Sequence, residues 1–440
     1  MTPNQNYTSF KDQLLAAFRE GEVLMNGESK SAFHQIRQSA LQTFETLGFP
    51  TIRHEEWKYS NVKAMIGEQY SLGDATDLTA ADLAPLQIPN LAGNILFFVN
   101  GHYRPDMSQI VSPATHLQIK SFADALQTDA ETIGLHFSRY ADFQDSAFTA
   151  LNTAFSTDGV FIRIPDNKTV AEPVILRFIT DARHQNIAVQ PRNLIVVGRN
   201  AEVNVAESYR VLGDHAGFTN VVTEVVMAAD ARVNHYRIQN DSERSYHIGR
   251  TQVSQAERSQ YYNATITLNG GFVRNDLNIV LNGQHCETHM YGLYMPNGTQ
   301  HVDNHTLVDH AMPNCHSSEL YKGILNDKGT GVFNGKIYVR PDAQKTNAYQ
   351  SCKNVVLSPD ASMNTKPQLE IYADDVKCSH GTTTGKMNEE ALFYLQSRGI
   401  PKDAARTLLL YAFAEEVISN IKIQPIREYL EGIIREKLAI

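Results

Sequence analysis

Arg199-Asn200-Ala201-Glu202-Val203 and Ala229-Asp230-Ala231-Arg232-Val233 are the two stretches that decide the fold of this chain. In each, a polar turn leads into a small residue, and an alternating run then begins. The alanines at 201 and 231 stand 30 positions apart. Pro341-Asp342-Ala343 and Pro359-Asp360-Ala361 repeat the turn more loosely and at irregular distance. A stacked parallel solenoid, each coil closed by a tight turn with a small inward residue, produces such a recurrence. A β-sandwich also yields many short strands. Few of these strands are joined by two-residue hairpins, which favours the solenoid.

Working outward, Phe161–Ile164, Val174–Ile179, Leu194–Val197, Val203–Ala206, Val221–Met227, Ala264–Leu268 and Leu277–Leu281 read as strands rich in Val, Ile and Thr. Residues 8 to 50 read as helical, with Ala32, Phe33, Ile36, Ala40, Leu41, Phe44 and Leu47 on one stripe and Gly48 and Pro50 as the stop. Trp57, the only tryptophan, reads as a packing residue. The acidic stretch from 72 to 89 reads as loop with a short helix. Ile95–Val99 followed by Asn100-Gly101 reads as a buried strand and a tight turn. After about residue 388 three amphipathic helices are expected, the first capped by Asn388, the others opened by Pro401 and Pro425. The expected organisation is therefore mainly β with flanking helices: a helical and mixed region over 1–150, a β-solenoid core over 151–386, and a helical region over 387–440.

The formal charge of −9 and pI near 6.0 argue against a nucleic-acid binder. Met1 to Gln13 is polar, so no signal peptide is expected, and no window is apolar enough to cross a bilayer. Four cysteines, at 286, 315, 352 and 378, all in the second half, read as reduced thiols or ligands of a cytoplasmic protein. Gly381-Thr-Thr-Thr-Gly385-Lys386-Met387 fails as a phosphate loop: it is one residue short and has Met where Ser or Thr would meet magnesium. Gly329-x-Gly331-x-x-x-Gly335 misses the dinucleotide spacing, and no Gly-x-Ser-x-Gly elbow exists. No enzymatic activity of its own is expected.

Six of the sixteen histidines, His285, His289, His301, His305, His310 and His316, fall in one zone with Cys286 and Cys315. On strands, His285, Glu287 and His289 would share one face, and His301, Asp303 and His305 another. Such faces suit a divalent metal, as in a metal-dependent, cupin-like enzyme. They equally suit a polar sheet face or a subunit contact, and histidine-rich strands need no metal. Leu369 to Val376 reads as a β-type run ending in Cys378-x-His380, with a glycine- and threonine-rich turn after it. On extended chain the thiol and the imidazole point the same way. Lys377 and His380 favour a thiolate at Cys378, whereas Cys352 reads as a small buried hydrophobe. The bland reading of Cys378 and His380 is a satisfied core pair. Two ligands do not complete a metal site, so further ligands would come from the histidine zone or from a partner chain.

The chain resembles the SufB/SufD family of the SUF iron–sulfur cluster assembly machinery, and within it the SufD branch. The resemblance runs through His301-Val-Asp303, His305-Thr306, His310-x-x-Pro313, Gly331-Val-Phe-Asn-Gly335, Ala348-x-Gln350, Thr365-x-Pro367-Gln-Leu-Glu-Ile371 and Ala373-Asp-Asp-Val-Lys-Cys-Ser-His-Gly381. It continues into Leu392-Phe-Tyr-Leu395 and Ser397-Arg-Gly-Ile400, with an earlier echo in Glu55-Glu-Trp-Lys-Tyr59. It implies a right-handed parallel β-helix core between helical regions. It also implies a scaffold subunit of a SufBCD-type complex: heterodimer formation with a SufB-like paralogue through the core, and docking of a SufC-like ABC ATPase on the C-terminal helices, so that ATP enters only through that partner. The family pair matching Cys378 and His380 is implicated in a transient iron–sulfur cluster or iron site shared with SufB. The resemblance does not assign His285 or His289, decides nothing about a flavin, and leaves open a homodimer of the isolated chain. A purely structural subunit, with no ligand role for either residue, is the remaining alternative.

Overall fold

The computed structural model describes residues 9–24, 31–73 and 76–438. The helical stretch expected over 8–50 is two helices, Phe10–Leu24 and Ala32–Leu47. Residues 25–30 between them lie outside the described residues, as do 1–8 of the polar opening and 74–75 of the acidic stretch. Ser31 caps the second helix by accepting from the His34 amide, and Gly48, at φ 62°, ends it. The short helix of the acidic stretch is Ala80–Leu83, opened by a Thr79/Asp82 capping box.

From Glu202 to Gly385 successive strands alternate between two sheets, and from Gly217–Met227 onward each strand pairs in parallel with the second strand before it. Earlier, Ile187–Val189 and Arg192–Val197 both lie in the first sheet and share Gly217–Met227 as their partner. The result is a solenoid of about eight coils. Its first sheet runs from Gly159–Ile164 through Gly217–Met227 and His301–His310 to Ser362–Ile371. Its second runs from Val174–Asp181 through Glu202–Leu212 and His316–Leu325 to Lys377–Gly385. At the beginning both sheets are closed off: Gln118–Ser121 adds antiparallel to the first, while Asn94–Val99 and the antiparallel His102–Tyr103 extend the second. Asn100 and Gly101, at φ 49° and 84°, make the tight turn between those last two strands.

The turn signature proves more regular than the alanines alone disclose. Asn200, Asp230, Arg258, His285, Asn314 and Lys345 all hold left-handed φ between 51° and 64°. Each is followed by one small buried residue, in order Ala201, Ala231, Ser259, Cys286, Cys315 and Thr346, and then by a strand of the second sheet. The turns also stack: the amide of Asp230 donates to Glu257 O, that of Arg258 to Gln284 O, and that of Lys345 to Asp375 O. Pro341-Asp342-Ala343 lies in the same bend as Lys345 but ahead of it, and Pro359-Asp360-Ala361 lies in a bend leading into the first sheet, so neither alanine is the small residue of this column.

Inside, Val203, Val233, Tyr261, Val273, Ile279, Val308 and Phe333 form part of one continuous apolar core. A fully buried polar cluster interrupts it. Glu207 accepts from Arg237 (3.0 Å) and Tyr209 (2.8 Å), His235 Nε2 lies 2.8 Å from its other oxygen, and Arg237 also reaches Thr251 (2.8 Å). Burial opposes ionisation of Glu207, but Arg237 and His235 outweigh it and hold the carboxyl below its ordinary range.

The outer faces are covered unequally. The N-terminal helices and the helix Ala147–Phe155 cover the early coils of the first sheet around Phe218, Ile248 and Phe272. The helices Lys402–Ile418 and Gln424–Leu438 cover the second sheet around Tyr236, Ala264, Ile266 and Leu293. Trp57 is wedged between Phe148 (5.2 Å) and the Arg274 guanidinium (4.0 Å), in keeping with a packing role. Among the described residues no helix is long and apolar enough to cross a membrane.

Candidate functional site

The last coil consists of Ser362–Ile371 and Lys377–Gly385, each hydrogen-bonded to an earlier strand on one side only. The stretch Gly381-Thr-Thr-Thr-Gly385, expected as a turn, is the second half of the final strand. No bulk forbids this: a Cβ at Gly381 or Gly385 would meet nothing within 4 Å. The turn lies instead at 372–376, between the two strands.

Register fixes where the Cys-x-His pair points. Cys378 pairs with Ala348, Ala348 with Ser317, Ser317 with Thr288 and Thr288 with Tyr261, all of them buried interior positions. His380 pairs with Gln350, and below it stand Glu319 and Met290, again interior positions. Two residues apart on one strand, Cys378 and His380 therefore occupy the inward face. Among the described residues no further coil covers them: Cys378 is only half-buried and His380 is exposed. The pair sits at the mouth of the solenoid.

Cys378, like Leu369 and Val376, packs against a small cluster of Ile337, Val339, Ala343, Ala348 and Ala373. Burial pushes its thiol up, opposed only by a backbone hydrogen bond with Ala348. This corrects the expectation that Lys377 and His380 favour a thiolate in this chain. The surroundings keep sulfur protonated, and a bound cation would have to displace the proton. The other three cysteines are buried. Cys352 behaves as the expected small core residue, its thiol pushed up to about 11 by burial. Cys286 and Cys315 fill the turn column, and both thiols lie 3.2 Å from Gly283 O.

The histidine zone is not brought together. His285 is a turn residue at φ 59°, off the strand that carries Glu287 and His289. Glu287 and His289 do share the outer face of the second sheet, 2.6 Å apart, with His289 stacked on Tyr262 and near His316. His301, Asp303 and His305 share the outer face of the other sheet, beneath the segment Glu55–Ser60. There Ser60 bonds both His301 (2.8 Å) and Asp303 (2.5 Å), and His305 sits between Asp303 (3.0 Å) and Glu56 (3.3 Å). His310 points inward to Ser317 (2.9 Å), and burial moves its imidazole down to about 3. Among the described residues no group of three or more His, Cys, Asp or Glu side chains is placed to hold a metal ion. Among the described residues, Cys378 and His380 stand at the mouth with no third ligand-type residue grouped with them.

Two interior residues below the mouth escape a motif search: Glu319, which is 3 % exposed, and Gln350, whose Nε2 donates to Glu319 Oε2 at 2.8 Å. Counting three residues forward from His316, Asn347 and Lys377, the strand starts after each turn, places Glu319, Gln350 and His380 in one column.

The sequence matches two family profiles, "SufBD protein N-terminal region" over residues 8–176 and "SUF system FeS cluster assembly, SufBD core domain" over residues 178–413. It is 31% identical over 433 residues to an iron–sulfur cluster assembly SufBD family protein of Synechocystis, covering 97% of this chain and 94% of that protein. It is 29% identical over 431 residues to the iron–sulfur cluster assembly protein SufD of Escherichia coli, covering 96% of this chain and 97% of the relative.

Proposed function

This chain belongs to the SufBD family of iron–sulfur cluster assembly proteins, and from that premise we propose that it is a non-catalytic scaffold arm. In this reading Cys378 and His380 supply part of a ligand set for iron or a nascent cluster, and a SufB-like paralogue seated on the mouth supplies the rest. The cluster is cargo here, built and passed on. The observation that carries the reading is an incomplete soft/borderline ligand pair on the inward face of an uncapped coil. A solenoid normally hides its terminal coil beneath a polar cap, and a bare one invites pairing.

The same reading gives each region a task. The region 1–150 covers the early coils, 151–386 carries the interface, and 387–440 receives a SufC-like ATPase in the cytoplasm. The helix Glu389–Ser397 buries none of its residues, and Phe393 and Tyr394 are 73 % and 57 % exposed. An exposed aromatic pair on one helix suits a protein partner. Lys322 anchors the base of this region, with its ammonium 4.2 Å from the Phe413 ring and paired to Glu416. ATP-driven closure of two such partners would pull on the helices and so on the mouth. At the mouth, Cys378 must lose its proton as it takes up a cation, so loading is expected to release a proton and to weaken as pH falls.

Anaerobic co-purification with SufB- and SufC-like partners, followed by iron and sulfide quantitation, tests the assignment. Cys378→Ala and His380→Ala are expected to lose the cluster while the complex stays assembled. Full cluster content in both variants would move the chemistry to the partner and leave this chain a purely structural arm.

A further inference from the structure

Below the mouth, the interior carries a polar pair that neither packing nor the two proposed ligands explain. Glu319 and Gln350 occupy consecutive coils in the column that ends at His380. Gln350 donates its amide N–H to Glu319 Oε2 at 2.8 Å, and no hydrogen bond of good geometry reaches Gln350 Oε1. Gln350 is 3 % exposed, so water does not readily satisfy that oxygen. The opposing sheet leaves room for the amide: at Gly335 a Cβ would fall 2.2 Å from Gln350 Nε2. A buried carboxyl in the middle of an apolar core is costly, yet this one has only Thr306 and Gln350 as neighbours drawing it toward ionisation.

We propose that Glu319, acting through Gln350, positions His380 by presenting the Gln350 carbonyl oxygen as the acceptor for one imidazole N–H. The carboxyl accepts only from the nitrogen side of the amide, so it turns the oxygen side toward the coil above. An imidazole bound in this way carries its proton on the inward ring nitrogen and leaves the other lone pair free at the mouth. Glu319 and Gln350 are positioning residues and touch no cargo. The inference rests on the reading of His380 as a ligand, and it adds the groups that select the tautomer.

The test uses the full chain labelled with 15N-histidine, with the His380 ring nitrogens identified by their loss in His380→Gln. The wild type is expected to show one protonated and one bare nitrogen, without tautomer averaging. Gln350→Met keeps the volume, removes the acceptor, and is expected to move both resonances toward averaged positions. Glu319→Leu is expected to do the same, while Glu319→Gln, which can still accept from Gln350, retains the wild-type pattern. Should Glu319→Leu fail to fold, Gln350→Met alone decides. A wild-type spectrum that is already averaged, or a Gln350→Met spectrum that matches the wild type, overturns the proposal. In the complex with SufB- and SufC-like partners, Gln350→Met is further expected to weaken ferrous-iron binding roughly 10- to 100-fold. Normal cluster content in His380→Ala would defeat the ligand reading itself, and the ring spectra would still report separately on the positioning.

Discussion

The two ends of the solenoid are built in opposite ways. At its beginning, antiparallel strands Gln118–Ser121 and His102–Tyr103 finish the sheets, and helices pack over the early coils. At its end, Ser362–Ile371 and Lys377–Gly385 have a free edge, and neither strand contains a buried residue. The first end tapers to edge strands of four and two residues, whereas the second leaves edges of ten and nine residues whose backbone donors and acceptors are available for something else to pair with. The difference separates residues that hold the fold from residues that wait for a partner. Cys378 and His380 belong to the second kind, although they lie in the same interior columns as core residues of the first.

The sharpest way to break the contrast is to disturb the closed interior. Arg237→Ala leaves the Glu207 carboxylate buried without its cation and is expected to cost about 3–5 kcal/mol. Tyr261, fully buried in the column that ends at Cys378, is expected to cost a similar 3–5 kcal/mol as Tyr261→Ala. Denaturant unfolding followed by circular dichroism measures both. A loss below about 1 kcal/mol at Arg237 would mean that the polar cluster is relaxed by water and contributes little to the coil stack.

This interior polarity also explains how far the fold was legible in the sequence. The solenoid, the strands around Val203 and Val221, and the C-terminal helices follow from apolar pattern and turn chemistry. Strands such as Arg232–Asn240 and Ser245–Gln255 do not stand out, because inward His235, Arg237, His247 and Thr251 break the apolar alternation. The turn column was lost for a related reason. Its small residue changes from Ala201 and Ala231 to Ser259, Cys286, Cys315 and Thr346, so the eye tracks alanine while the backbone needs only a small side chain after a left-handed residue. His285, Cys286 and Cys315, which looked like ligands by type, owe their places to that turn. Cys378 and His380 share a face as the two-residue spacing requires. Their place at an open mouth, and the proton kept on the thiol, depend on which coil is last, and no local pattern states that.

Glu319 offers a middle case, buried like the closed interior but only two coils from the mouth. Burial pushes its carboxyl from the ordinary 4.5 up to about 7. Between those values the folded chain binds more protons at this site than the unfolded chain, so stability falls as pH rises from about 4.5 to 7 and then levels off. Above pH 7 the full penalty, up to about 3 kcal/mol, applies. Glu319→Gln removes the titration. Relative to wild type it is expected to gain stability from pH 5 to pH 8, read as the difference in urea midpoints at the two values. Parallel pH profiles for the two proteins would show that the mouth already lets water reach the carboxyl.

The smallest expected effect is at the mouth itself. Cys378→Ala removes one sulfur from a half-buried site that has no coil above it, so no enclosed cavity forms and the surrounding side chains can close in. The expected stability change is below about 1 kcal/mol, against several for Tyr261→Ala in the same column. Urea unfolding of the isolated chain checks it. A small value strengthens the contrast between the ends, and it also makes the cluster assay interpretable: loss of iron and sulfide from a chain that folds as well as wild type is a loss of ligand. A cost near that of Tyr261→Ala would place Cys378 with the residues that hold the fold, and the mouth would then be a part of the core that the C-terminal turn at 372–376 keeps closed.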